Sequence, residues 1–135
     1  MAMGQLAVIE DWHAAVGAGD GARAGALFSD DVEVGGPRGS GHGRAFVVDW
    51  VGHAGIRLDP VRWYCGRDGV VVEQDARWTD QATGELGAPV RLATAFTVVD
   101  GRIARVLRYS DTGAALAVLG LERSDEVARR KATPG

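Results

Sequence analysis

The Asp100-Gly101 pair, set between two runs of alternating apolar and polar residues, constrains this chain more than any other feature. Before it stands VRLATAFTVV, residues 90–99, and after it RIARVLRYS, residues 102–110. A period of two sends successive side chains to opposite faces of a sheet. Asp-Gly supplies the positive φ of a tight turn, so the two runs predict a β-hairpin. DTGAALAVLGL, residues 111–121, follows at once and predicts a helix capped by Asp111.

Bulk properties mostly exclude. At 135 residues the chain fits one domain that can bury a core without metal or disulfide staples. Cys65 is the single cysteine, and with three histidines and no cysteine pair a structural zinc site has too few ligands. Cys65 therefore reads as a buried strand thiol. The net charge is −3 with acids and bases interleaved, which lacks the basic stripe of a nucleic-acid partner. No apolar run approaches membrane-spanning length, and the opening MAMGQLAVIEDW soon meets Glu10 and Asp11. A soluble, cytoplasmic protein with neither nucleic-acid nor membrane partner is expected.

Along the chain, Leu6, Ile9, Trp12, His13 and Val16 recur at steps of three and four, which predicts one buried stripe of a first helix. Asp20 caps a second short helix through Phe28, and Val32 to Val34 predicts a short strand. GGPRGSGHG, residues 35–43, reads as a loop; it lacks the Lys-Ser/Thr ending of a phosphate loop. A third helix is predicted over residues 44–53, with Phe46, Val47, Trp50 and Val51 available for burial. Residues 56–66 and 70–78 predict two further strands joined through Arg67-Asp68-Gly69. Gly84, Gly87 and Pro89 predict a bulge or wide turn before Val90. The tail ERSDEVARRKATPG, residues 122–135, has no apolar stripe and reads as frayed or disordered, leaving a single domain over residues 1–121.

AAVGAGD (14–20), VEVGGPRGSGHGR (32–44) and DGRIARVLRYSDTGAALAVLGL (100–121), in that order and spacing, carry a family likeness. The chain resembles the nuclear-transport-factor-2-like (NTF2-like) superfamily, and within it the SnoaL-like polyketide-cyclase branch. The resemblance implies an α+β fold: a cone-shaped, strongly bent antiparallel sheet wrapped around N-terminal helices, with a short C-terminal helix. It further implies a pocket for one small apolar molecule, action without a cofactor or metal, and a homodimer through the outer sheet face. The superfamily hosts isomerases, hydrolases, cyclases, dehydratases and non-catalytic proteins, so the fold does not name the activity.

Strand parity selects the pocket face. Over residues 70–78 one parity holds Val70, Val72, Gln74, Ala76 and Trp78, and the other Val71, Glu73, Asp75 and Arg77. Burying the charged set unpaired would cost several kcal/mol for each group, so Gln74, Ala76 and Trp78 are predicted to point inward. By the same argument Val90, Leu92, Thr94 and Phe96 face the pocket. In the last strand hydrophobicity favours Leu107 and Tyr109, whereas the family resemblance favours Val106, Arg108 and Ser110; the latter is adopted. The outward Glu73, Asp75, Arg77 and Arg91 read as a solvated face or a dimer contact.

Under the resemblance, Arg108 stands where limonene-epoxide-hydrolase relatives carry a catalytic aspartate, while Gln74 and Ala76 match their arginine and second aspartate. Gly35 and Trp12 match the aspartate base and tyrosine donor of ketosteroid-isomerase relatives. Both machineries are thus missing, and Arg108, His13 and Gln74 become the candidate catalytic residues. A buried guanidinium can hold an anionic group or an oxyanion, unless Arg108 merely pairs with Glu33 or another acid. His13 is the candidate general base, unless it is hydrogen-bonded and inert. His42 and His53 read as structural. The candidate ligand-binding residues are Trp12, Val16, Val34, Trp50, Trp63, Trp78, Leu92, Thr94, Phe96, Val106 and Ser110, with the tryptophans either stacking a flat ligand or filling the core. Three readings stay open: a cyclase or isomerase, a hydrophobic-ligand binder or dimeric scaffold, and an epoxide-hydrolase-like enzyme if Asp75, Arg77 and Arg108 converge in the pocket.

Overall fold

The computed structural model describes residues 2–36, 39–53, 55–67, 69–80 and 82–127, with backbone alone for residues 2–4, 36, 39–40 and 50–53. In chain order the elements are α1 (Ala2–Ala18), α2 (Gly21–Ala26), β1 (Phe28–Gly36), β2 (Gly39–His42), α3 (Arg44–His53), β3 (Ile56–Cys65), β4 (Gly69–Trp78), β5 (Val90–Val99), β6 (Arg102–Tyr109), α4 (Thr112–Val118), a 3-10 turn (Arg123–Asp125) and β7 (Glu126–Val127). The strands form one sheet in the order β2-β1-β6-β5-β4-β3-β7. The α+β class and its helix order are as the sequence implies. One pairing differs: β1 lies parallel to β6, while the other neighbours are antiparallel, so the sheet is mixed.

Local chemistry sets the key joints. Asp100 and Gly101 both take positive φ, 52° and 78°, which is the turn that Asp-Gly predicts between β5 and β6. Asp20 and Asp111 accept backbone N–H bonds from Arg23 and Ala114, capping α2 and α4. Pro60 sits where the β3–β4 register slips before Arg62, which accounts for the mixed pattern read over that strand.

Helices cover both faces. α1 packs across β3, β4 and β6, and its stripe of Leu6, Ile9, Trp12 and Val16 joins Val70, Val72, Ala76, Phe96 and Val106 in the larger core. α4 packs on β4, β5 and β6 from the other side, where Ala115 and Leu116 meet Val71, Ala93 and Ala95. Two-sided cover explains why neither parity of β4 is wholly polar.

Several boundaries depart from expectation. α2 stops at Ala26, and Phe28 already opens β1 by pairing with Ile103. The glycine-rich stretch read as a loop is largely a hairpin: Gly36 pairs with Gly39 and Glu33 with His42, with residues 37–38 outside the described set. Phe46, expected to be buried, is exposed. The tail expected to fray forms, over residues 122–127, a capped turn and a short edge strand in which Val127 pairs with Trp63; residues 128–135 lie outside the described set.

Candidate functional site

The inner sheet face, toward α1, holds a chain of polar side chains within an apolar surround. Gln74 on β4 is fully buried, and burying a carboxamide is tolerable when its groups are bonded. Thr94 Oγ1 donates to Gln74 Oε1 at 2.7 Å, and Gln74 Nε2 donates to His13 Nε2 at 2.7 Å. His13 Nδ1 donates to the Ile9 carbonyl at 2.8 Å. A carbonyl can only accept, so Nδ1 carries the proton and Nε2 offers its lone pair to the amide. Each hydrogen bond therefore points the same way, from sheet to helix.

Burial holds the imidazole in this arrangement neutral. Burial pushes His13 from its ordinary value of 6.5 down to about 4, against smaller opposing effects of the Ile9 hydrogen bond and the Glu10 and Asp59 charges. A second proton on Nε2 would face the amide N–H. Aromatic rings enclose the imidazole: Trp12 and Phe96 meet edge to face at 5.3 Å, and the His13 ring stands 5.5 Å from Trp63.

Arg108 lies on this same face. It pairs across the β5–β6 ladder with Thr94, as Val106 does with Phe96. Its Nε is shut off from solvent, and burial lowers the guanidinium's hold on its proton below the ordinary arginine value. The parity taken from the family likeness thus matches the structure, and Leu107 and Tyr109 pack on the opposite core. Glu33, a candidate partner for Arg108, instead meets Arg105 at 3.5 Å on the other face of the sheet.

The hydrolase arrangement does not form. Asp75 and Arg77 alternate with Gln74 and Ala76 and so occupy the face away from Arg108. Asp75 is bound there by Arg91 at 2.7 Å. Glu73, read as solvated or as a dimer contact, is only 7% exposed: Arg62 donates to it at 3.0 Å, Thr112 at the start of α4 donates at 3.0 Å, and Arg91 stands at 3.6 Å. Sequence parity could not foresee that α4 would lie over this group.

Of the other candidates, Trp12, Val16, Trp63, Thr94, Phe96 and Val106 are buried, and Val34 and Leu92 pack partly buried against them. Trp78 is 41% exposed at the end of β4, and Ser110 is exposed beyond β6, so both lie outside this enclosed group. The side chain of Trp50 lies outside the described residues. Among the described residues no cluster of His, Cys, Asp and Glu could hold a metal ion, and no helix is long and apolar enough to cross a membrane.

Comparison with known proteins places this geometry in context. Residues 9–106 match the model of the SnoaL-like domain. Comparison with curated protein sequences gives no match. Among solved structures, TerC co-crystallised with polyporic acid is 22% identical with a TM-score of 0.70, over 87% of this chain and 98% of that one. A Catenulispora acidiphila protein with a ketosteroid isomerase-like fold, in complex with trimethylamine, is 20% identical with a TM-score of 0.68, over 85% and 93%. A candidate polyketide cyclase from Sinorhizobium meliloti is 20% identical with a TM-score of 0.66, over 80% and 98%. At such identities the likeness establishes the NTF2-like fold alone.

Proposed function

The chain belongs to the SnoaL-like domain family, and from that premise we propose that it takes up one small apolar, polyketide-like molecule between α1 and the inner sheet face and promotes its cyclisation or isomerisation without a cofactor. One observation carries this reading: a guanidinium, that of Arg108, drawn into an apolar face beside Thr94, Phe96 and Val106. Arginine stays charged even when partly desolvated, and its planar donors suit an enolate or carboxylate oxygen. Arg108 is the residue assigned to negative charge on the ligand. Gln74 and His13 are positioning residues in this reading, because both imidazole nitrogens are engaged and Gln74 is spent between His13 and Thr94. Trp12, Trp63, Leu92 and Phe96 supply the apolar wall. The chemistry that fits is one in which charge develops on an oxygen of an already acidic, enolic substrate.

A second reading, a binding protein that sequesters or presents its ligand, is favoured by the closed hydrogen-bond chain, which leaves His13 without a free basic nitrogen. The test is titration of wild type and Arg108→Met with hydroxyquinones, polyporic acid among them, and with trimethylamine as a cationic control. The proposal expects the acidic quinones to raise the melting midpoint, trimethylamine to leave it unchanged, and Arg108→Met to weaken quinone binding about tenfold or more. Quinone affinity unchanged in a folded Arg108→Met variant refutes the role of Arg108. Mass analysis of bound material after incubation separates the two readings, since conversion supports the enzyme and recovery of unaltered ligand the binding protein. Assembly as a homodimer through the outer sheet face belongs to the same proposal, and light scattering tests it.

A further inference from the structure

The arginines of the outer sheet face, the side that carries α4, divide into two kinds. Arg62 holds Glu73 at 3.0 Å, Arg91 holds Asp75 at 2.7 Å and Arg105 holds Glu33 at 3.5 Å. Arg57 and Arg77 differ: among the described residues neither side chain forms an ion pair or a hydrogen bond. Yet the ladder sets these two directly opposite one another, near the end of β3 and β4. Side chains so placed have Cβ atoms about 4.5–5.5 Å apart, and like charges there repel. The next row gives no relief, since it sets Asp59 opposite Asp75, and Asp75 is already taken by Arg91. Just beyond β4, Thr79 continues the ladder: its N–H donates to the Gly55 carbonyl at 2.8 Å, and it bridges Leu86 on its other side. Alternation puts the Thr79 side chain on the face of Arg77. Gly55 opposite it takes a φ of 58°, and a Cβ added there would meet Thr79 alone, at 3.5 Å, so the space beside the hydroxyl is open. That hydroxyl makes no hydrogen bond among the described residues.

We propose that Arg57, Arg77 and Thr79 form a binding site for a phosphate dianion, either the free ion or the head of a monoester, on the outer sheet face. Each guanidinium presents a planar fork of donors that matches two phosphate oxygens, and two forks on neighbouring strands match the two charges. The Thr79 hydroxyl supplies a further donor. A carboxylate carries one charge and fills one fork. A phosphodiester also carries one charge, and two of its four oxygens are esterified. The dianion turns a repelling pair into a neutral cluster. This site is separate from the inner face, so it stands or falls independently of the role given to Arg108.

The probes are inorganic phosphate, butyl phosphate and dibutyl phosphate, titrated while the arginine Nε–H signals are followed in nitrogen-15 spectra. The Arg57 and Arg77 signals should move with both dianions, and dibutyl phosphate should bind about tenfold more weakly than butyl phosphate. Butyl phosphate binding more tightly than inorganic phosphate assigns the site to a monoester; an ester no tighter than the ion assigns it to free phosphate. The second proton of a monoester leaves at about pH 6, so affinity for butyl phosphate should rise between about pH 5 and 7. Arg57→Gln and Arg77→Gln should each weaken binding about tenfold, and Thr79→Val by less. Because the two arginines repel in the free protein, either glutamine variant should keep or raise the melting midpoint. Equal binding of butyl and dibutyl phosphate overturns the inference, as do signals that stay still up to about 20 mM ligand. A midpoint lowered by several degrees in both glutamine variants makes the pair a part of the fold and also overturns it. So does a dimer, seen by light scattering, that these variants dissociate while wild type binds no phosphate, since the pair is then a contact between copies.

Discussion

Acidification should unfold this protein through a group that carries no charge at neutral pH. His13 is neutral in the fold because it is buried, with its Nδ1–H donating to the Ile9 carbonyl and its Nε2 accepting from Gln74. Its value falls from 6.5 in the unfolded chain to about 4 in the folded one. Between these values the unfolded chain binds more protons, so stability rises with pH. The full contribution is present above about 6.5 and is lost progressively as the pH falls toward about 4. Since one pKa unit corresponds to about 1.4 kcal/mol, the complete loss is roughly 3 kcal/mol, of which about 2 kcal/mol has gone by pH 5. Urea unfolding of wild type and His13→Gln at half-unit steps from pH 7.5 to 5 measures it. Glutamine offers the Gln74 amide an acceptor oxygen but has no titration, so the variant should be nearly flat where wild type declines. Parallel profiles for the two proteins, or a flat wild type, would refute burial of a neutral His13 as the cause and return His13 to candidacy as a base.

On the opposite face, burial pushes the Glu73 carboxyl up, but the hydrogen bonds of Arg62 and Thr112 and the charges of Arg91 and Arg62 more than offset it and hold it below its ordinary 4.5. Its contribution is therefore complete above about 4.5 and lost as the pH falls below that value. Glu73→Gln should cost about 1–3 kcal/mol at pH 7, with the gap to wild type closing in acid; a gap independent of pH would show that charge is not the reason. A Cβ at Gly69 would strike the Phe96 carbonyl oxygen in the adjacent strand, backbone against backbone, with Leu119 close by. Gly69→Ala should accordingly cost about 3 kcal/mol or more, or prevent folding, as read by circular dichroism and urea unfolding, and a change below about 1 kcal/mol would refute the close approach.

What could be read from the residues was local or periodic. The Asp100-Gly101 turn, the Asp20 and Asp111 caps and the inward Val70, Val72, Gln74, Ala76, Thr94 and Phe96 of β4 and β5 each follow from a handful of neighbouring side chains, whereas Trp78 and Val90, read as inward, lie exposed at the strand ends. The parallel β1–β6 pair did not, since it joins strands some seventy residues apart and no short motif announces it. The glycine-rich hairpin was hidden because its strands are short and nearly without side chains to alternate. Glu73 was misread for a related reason: parity assigns a face but does not say which other element covers it. For the candidate site, parity placed Gln74 and Thr94 together and the family likeness added Arg108, yet the direction of the Thr94–Gln74–His13 hydrogen bonds required the Ile9 carbonyl, which no side-chain pattern reveals.

That direction bears on what the site can recognise. The three bonds run from Thr94 to Gln74 to His13 to Ile9, each donated toward the helix. The Thr94 hydroxyl, having donated its proton, stands directly across the ladder from Arg108 with its remaining capacity as an acceptor. The strand acids Glu73 and Asp75 are turned to the opposite face, where arginines hold them. Under the functional reading proposed above, Arg108 meets the ligand as a donor. A ketone or enolate oxygen, with two lone pairs in the plane of its carbon, suits that fork of donors better than the corresponding alcohol. The preference between a ketone and its alcohol should therefore favour the ketone by about tenfold or more, and Thr94→Val should reduce it by loosening Gln74 and removing the oxygen opposite Arg108. A site that accepts both equally, or one whose choice is indifferent to Thr94, would mean that the hydrogen-bond chain holds the fold together and takes no part in recognition.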